Sequence, residues 1–281
     1  MIVLINKVAY GACKKKIRTF GKIIGSCILI CIVVLGGGLG ATPLYGMNKK
    51  DYEWFKNVLP IFGESFQDEI IFLKEYLITN NVELLKKQTT FFKKYDELLK
   101  NRPNSRKDIL DETYEEYRLN FEQFPKVINN SIFVSTFSFM EAKLIQIINL
   151  LDDFLELKIK LYDLAGNNTI DKCHKYFSKV ANINLELLKN EFDKIKDFQK
   201  IRNLIVHNDS NVKKRRDKKI EEQSMYNYII GEPRIKLDTF SGYFIINDYK
   251  YIDEFLDIVS RLLSGIIKSS IDSLNNKKVT V

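Results

Sequence analysis

Residues 127–151 read VINNSIFVSTFSFMEAKLIQIINLL, the longest apolar stretch in the body of the chain. Within it Phe133, Phe137, Met140, Leu144, Ile147 and Leu151 recur at three- and four-residue spacing, which is the period of one helix face and not of a strand. A central, largely buried helix is expected here, and an all-α fold around it. Upstream, Pro125 marks the start of that helix, preceded by a polar helix over about residues 106–119. Before that, Asn101-Arg102-Pro103-Asn104-Ser105 breaks the chain, because proline disfavours a helical conformation in the residue before it. Two further helices are expected ahead of the break. The first carries Phe66, Ile70, Leu73 and Leu77, and the second Leu84, Leu85, Phe91, Phe92, Tyr95 and Leu99.

Downstream, Asp163-Leu164-Ala165-Gly166-Asn167-Asn168 has turn composition, and a helix from about Ile170 carries Cys173, Tyr176 and Phe177. After a polar break at Asn182-Ile183-Asn184, a helix is expected over about residues 185–206. A polar loop over residues 208–223 follows, then a short hairpin over 235–246 interrupted by Ser241-Gly242. The last amphipathic helix, about residues 249–274, sets Phe255, Ile258, Leu262, Leu263 and Ile266 on one side. The expected organisation is an N-terminal segment over 1–46, a helical region over 47–123, and a helical domain over 124–281.

The formal charge of +8 suggests nucleic acid, but its distribution does not. Lys7, Lys14, Lys15, Lys16, Arg18 and Lys22 stand in the first 46 residues with no acid among them, leaving 38 Lys+Arg against 36 Asp+Glu elsewhere. Only local basic clusters can therefore argue for an RNA or DNA partner. Cys13, Cys27 and Cys31 lie in the N-terminal segment and Cys173 alone in the body, so the body holds no disulfide framework and a reducing, cytoplasmic setting fits.

Residues 23–45 form an uncharged apolar run behind those bases, long enough to span a bilayer. Three readings stay open: an over-extended start ahead of Met47, a membrane anchor, and a signal peptide. The anchor would hold its bases in the cytosol and place the remaining chain outside, where an RNA-acting domain has no substrate.

Nucleotide hydrolysis is not expected. The cluster Gly36-Gly37-Gly38-Leu39-Gly40 lies inside the apolar run and lacks the Lys-Ser/Thr pair of a phosphate-binding loop. The chain has two histidines, and His174 adjoins Cys173, so no zinc site of usual spacing can be assembled and no cofactor is expected.

The chemistry-bearing stretch is Ile201-Arg202-Asn203-Leu204-Ile205-Val206-His207-Asn208. An arginine five residues before a histidine is a weak signal alone, since a helix-terminal histidine is often just a group stabilised by the helix dipole. Its neighbours strengthen it: Phe137-Ser138-Phe139-Met140-Glu141, Leu161-Tyr162-Asp163-Leu164-Ala165-Gly166, and Tyr176-Phe177 precede it in that order. This series resembles bacterial HEPN-domain proteins over about residues 124–267. In that superfamily a helix with a Ser-x-x-Glu pattern precedes a helix bearing Arg, a polar residue and His.

The resemblance implies a HEPN-like helical bundle, usually a homodimer, with Arg202, Asn203 and His207 of both chains lining a cleft. It also implies, in many members, a metal-independent endoribonuclease with a toxin-like or antiphage role. Independently of family, a histidine can move the proton of a 2′-hydroxyl or of a leaving 5′-oxygen, and an arginine can stabilise the phosphorane-like transition state. Five positions put Arg202 and His207 about 140° apart on a straight helix, so they converge only where the helix bends, ends or meets a partner. Asn203 would orient Arg202 or contact phosphate, and Glu141 would hold Arg202 by a salt bridge if the two helices pack.

The basic run Lys213, Lys214, Arg215, Arg216, Lys218 and Lys219 is a candidate RNA-phosphate contact, although such runs are commonly solvated loops. One departure from the family stands out. Where the toxin subgroup neutralised by nucleotidyl transfer carries tyrosine two positions after the histidine, this chain has Asp209. The alternative function is a non-catalytic HEPN dimerisation or interaction module, membrane-tethered through residues 23–45.

Overall fold

Residues 124–155 occupy the centre of the fold, as their apolar periodicity predicts. The structure is a computed structural model that describes residues 49–166, 168–213 and 218–277. The N-terminal segment with its apolar run, and most of the basic loop, lie outside the described residues. The elements are α1 (Lys49–Asn101), α2 (Arg106–Arg118), α3 (Phe124–Leu155), α4 (Thr169–Lys175), α5 (Lys189–Asn208), α6 (Tyr226–Gly231), β1 (Ile235–Leu237), β2 (Phe244–Ile246) and α7 (Lys250–Lys277). Residues 50–281 make one compact unit.

The two helices expected ahead of residue 101 are one. α1 runs unbroken for 53 residues through Pro60. The Asn80-Asn81 pair does not interrupt it, because each amide turns back to donate to the carbonyl four residues earlier, Tyr76 O and Leu77 O. Its inward face carries Phe55, Leu59, Phe66, Ile70, Leu77, Leu84 and Phe91, all buried. The first part of α1 packs on α3 and α7: the rings of Phe55 and Phe154 stack at 4.0 Å, Lys143 Nζ meets Glu69 at 2.7 Å, and Gln67 Nε2 donates to Ser264 Oγ at 2.8 Å. The later part packs on the α2 side, where the Phe91 and Phe121 rings meet at 5.5 Å and Tyr117 stacks on Phe121 at 4.8 Å.

Proline at residue 125 does not start a separate rod. A π turn, Leu119–Gln123, joins α2 to α3, and Pro125 falls in the first turn of α3, where the donor it lacks is replaced for the π turn by Gln88 Nε2, which donates to Asn120 O at 3.0 Å. Among the described residues, the continuous stretch Arg106–Leu155 is long and apolar enough to cross a membrane. Within it Phe133, Phe137, Met140, Leu144, Ile147 and Leu151 are core, all at most 1% exposed, whereas Leu110, Phe124 and Val127 are exposed.

Around α3 the aromatic centre is built from three helices. Phe133 and Phe137 of α3 meet Phe255 of α7 at 5.1 and 5.9 Å, and Phe198 of α5 closes the cluster at 4.6 Å from Phe255. Rings at such separations add to simple area burial, each pair contributing on the order of 1 kcal/mol. α7 supplies the broadest buried face, Phe255, Ile258, Leu262, Leu263 and Ile266 as expected, joined by Tyr251, Ile252, Leu256 and Val259. Gly265 faces the Leu188 side chain so closely that a β-carbon there would lie 2.3 Å from Leu188 Cδ2.

Asn168 caps α4 by accepting from Asp171 N at 2.8 Å, and ahead of it Leu161–Asp163 form a 3-10 turn, while Asn167 of the expected turn lies outside the described residues. Cys173, Tyr176 and Phe177 are fully buried, and burial, helped by the Glu141 charge, pushes the Cys173 thiol up to about 12. The predicted hairpin is present, antiparallel with Ile235 opposite Ile246, and Gly242 at φ +84° turns it. The chain leaving α5 pairs onto the hairpin: Phe244 N donates to Ser210 O and Val212 N to Gly242 O, both at 2.9 Å.

Candidate active site

α5 positions the motif. Its buried seam, Phe192, Ile195, Phe198, Ile201 and Leu204, is set by spacing of three and locks the helix on α3 and α7. Arg202 follows Ile201 and flanks that seam half-buried, its guanidinium carbon 5.8 Å from the centroid of the Phe137 ring on α3. Nη1 donates to Asn203 Oδ1 at 3.2 Å. Nε is buried without a partner.

Glu141 does not hold Arg202. No ion pair joins them, because the guanidinium settles over Phe137, one turn ahead of Glu141 on α3. Glu141 is half-buried and exerts its charge on Cys173 instead. Arg202 is thus a partly buried guanidinium with no carboxylate in ion-pair range. By contrast Arg102, Arg118, Arg234 and Arg261 each have one: Glu112, Glu115, Glu232 and Glu191.

His207 lies in the last turn of α5 and is exposed. The helix stays regular through Asn208, so five residues carry His207 about 140° around from Arg202, to the other side of the buried seam. One chain does not bring the two together. Just past His207 the helix ends in two left-handed residues, Asp209 (φ 48°) and Ser210 (φ 60°), and Ser210 N returns to Leu204 O at 3.0 Å. Fully buried Ser210 accepts from Asn130 Nδ2 at 2.9 Å, and Asn129 Nδ2 donates to Ile246 O at 2.7 Å, so α3 clamps both the end of α5 and the hairpin.

Of the basic run, Lys214, Arg215 and Arg216 lie outside the described residues. Lys213 is exposed but committed, its Nζ donating to Phe240 O at 2.7 Å, while Lys218 and Lys219 are exposed. Lys126, which sequence reasoning passed over, reaches Asp209 at 3.0 Å and lies 5.4 Å over the Tyr243 ring. Lys126, Asp209 and Tyr243, but not Lys213, Lys218 or Lys219, edge an open groove of about 1040 Å³ between α1, the π turn, the start of α3 and the hairpin. Arg202 and His207 do not line it, so the groove is a neighbour of the motif and not its cleft.

Among the described residues no group of three or more His, Cys, Asp or Glu side chains is placed to hold a metal ion. The contact that spacing could not reveal is the one Phe137 makes with Arg202. The double duty of Phe137 shows in nothing but the packing of α3 on α5. No family model, curated protein or solved structure matches the chain.

Proposed function

We propose that this protein is a metal-independent endoribonuclease of HEPN type that works as a homodimer, with Arg202, Asn203 and His207 as its active set. The observation that carries the reading is Arg202: a half-buried guanidinium, braced by Phe137 and Asn203 and lacking any carboxylate partner. Leaving such a charge unneutralised costs stability, and a phosphate diester supplies the missing anion with paired, charge-assisted hydrogen bonds. His207, exposed at the helix end, is free to take the 2′-hydroxyl proton or to protonate the leaving 5′-oxygen. The bond formed is from O2′ to phosphorus and the bond broken is from phosphorus to O5′, giving a 2′,3′-cyclic phosphate and a 5′-hydroxyl.

Because Arg202 and His207 of one chain stand on opposite sides of α5, the reaction needs a second α5 to complete the cleft. A two-fold pairing sets the histidine of one chain against the arginine of the other. The test is cleavage of total RNA by the purified full chain in chelator, beside Arg202→Ala and His207→Ala. Loss of one oxyanion-stabilising cation is worth about 100- to 1000-fold, and of the proton-transfer group about 100- to 10,000-fold. Absence of cleavage by a folded dimer would reject the enzyme.

The separation of Arg202 from His207 within a chain favours one other reading, a non-catalytic dimerisation module. In that case His207→Ala leaves both self-association and cell growth unchanged, whereas the nuclease reading has expression of the unaltered chain slow growth and His207→Ala relieve it.

A further inference from the structure

α1 has two apolar stripes, and only one is buried. The other consists of Ile71, Ile78, Val82, Leu85 and Phe92, between 46% and 58% exposed, with the Phe92 ring 5.2 Å from Phe121 of the π turn. Of these, Ile71, Ile78, Leu85 and Phe92 follow one another at seven-residue intervals. Helical drift is only about 20° per heptad, so this row stays on one side of α1 across three repeats. Scattered exposed apolar residues are ordinary on soluble proteins, but a contiguous row of this length marks an interaction surface.

We propose that this stripe is a self-association surface on which a second copy of the chain packs its own α1 antiparallel. Three observations choose that occupant. The seven-residue period is the one by which helices pair with helices, knobs of each filling holes of the other. The stripe is also electrically polar: Asp68 and Glu75 stand along its N-terminal half and Lys86 and Lys93 along its C-terminal half, all exposed, with Lys86 also meeting Glu83 of its own helix at 3.3 Å. Its complement is therefore itself reversed, in a two-fold pairing centred between Ile78 and Val82. There Glu75 falls beside Lys86 of the second copy and Asp68 beside its Lys93, whereas parallel pairing would set like charges together. Finally, five large side chains about half exposed offer on the order of 500 Å² per chain, and two copies together reach about 1000 Å², the lower limit for a specific interface.

None of these residues belongs to α5, so the inference stands apart from the nuclease reading. It adds a second self-contact to the one α5 requires, and two different two-fold contacts on one chain join dimers into larger assemblies.

The test uses the full chain with Cys13, Cys27 and Cys31 changed to serine, in two differently tagged copies carrying Ile71→Cys and Thr89→Cys. These positions are about 27 Å apart along one α1 but adjacent in the antiparallel pair. A short bismaleimide linker is expected to join unlike-tagged 71 to 89 at least 10-fold more than 71 to 71 or 89 to 89. Ile78→Asp with Leu85→Asp should abolish the product while helical melting is unchanged. Lys86→Glu with Lys93→Glu on one copy should suppress it, and Asp68→Lys with Glu75→Lys on the other should restore it. Preferential like-to-like linking, as parallel pairing gives, overturns the proposal. So does the absence of any interchain product in a folded chain, as when the stripe is covered by residues 1–48 or by lipid.

Discussion

The Arg202 guanidinium lies 5.8 Å above the ring of Phe137, and that ring, not a carboxylate, is what supports the charge on α3. A guanidinium over an aromatic face gains on the order of 1 kcal/mol, more when water is excluded. Phe137→Leu is expected to keep the fold at a cost of about 1–2 kcal/mol in urea melts. It should also lower kcat for RNA cleavage by about 10-fold with little change in KM, because the phosphate contact survives but its direction is lost. Arg202→Lys should not restore activity, since an ammonium cannot stack on the ring or pair in a fork.

Acid stability should report the Arg234 fork. Arg234 Nε and Nη2 donate to Glu232 Oε1 and Oε2 at 2.7 and 2.8 Å, and Nη1 reaches Glu254 at 2.8 Å. The hydrogen bonds from Arg234 hold the Glu232 carboxyl below its usual 4.5. A carboxyl depressed in the folded state binds fewer protons there than in the unfolded chain. Its contribution is therefore complete above about pH 4.5 and is lost as pH falls through the folded value. Glu232→Gln should flatten the fall in stability between pH 5 and pH 3, as measured by urea midpoints across that range. Arg234→Ala should cost about 1–3 kcal/mol at neutral pH.

Gly265 is where α7 meets Leu188. The β-carbon of Gly265→Ala would come within 2.3 Å of Leu188 Cδ2 and 3.2 Å of Cγ, so the whole isobutyl group must move. Overpacking of this kind costs about 1–3 kcal/mol, against roughly 1 kcal/mol recovered from helix propensity. A fall of several degrees in Tm is expected. Combining it with Leu188→Ala should destabilise less than the sum of the two changes, because the second makes room for the first.

Asp209 holds φ 48° at the end of α5. Asp209→Gly removes the penalty of a left-handed non-glycine residue, about 1 kcal/mol, and gives up only an ion pair to Lys126 in which the aspartate is 76% exposed. Tm should rise by a few degrees, and RNA cleavage should stay as it is, since Asp209 takes no part in the proposed chemistry. A drop in cleavage would place Asp209 in the cleft.

The fold was largely legible because its helices advertise themselves by period: α3, α5 and α7 carry continuous buried stripes that no strand could use. The joins were less legible. Asn80-Asn81 has break-like composition, yet both amides bond to their own helix, and the α2–α3 junction is absorbed by a π turn that leaves no compositional mark. At the candidate site, Asn203 beside Arg202 could be read from adjacency alone. Phe137 under Arg202, and Ser210 held by Asn130, depend on how three helices cross, and apolar spacing predicts that a residue is buried without saying what rests on it.

The depth of Cys173 has a practical meaning. Its side chain is fully buried and that burial pushes the thiol up to about 12, so a thiol-reactive reagent at neutral pH meets neither an accessible sulfur nor a useful fraction of thiolate. Labelling at that position can proceed only while the layer between α3 and α4 stands momentarily apart. The rate of that labelling is then a clock for breathing of the helical core, already built into the native chain.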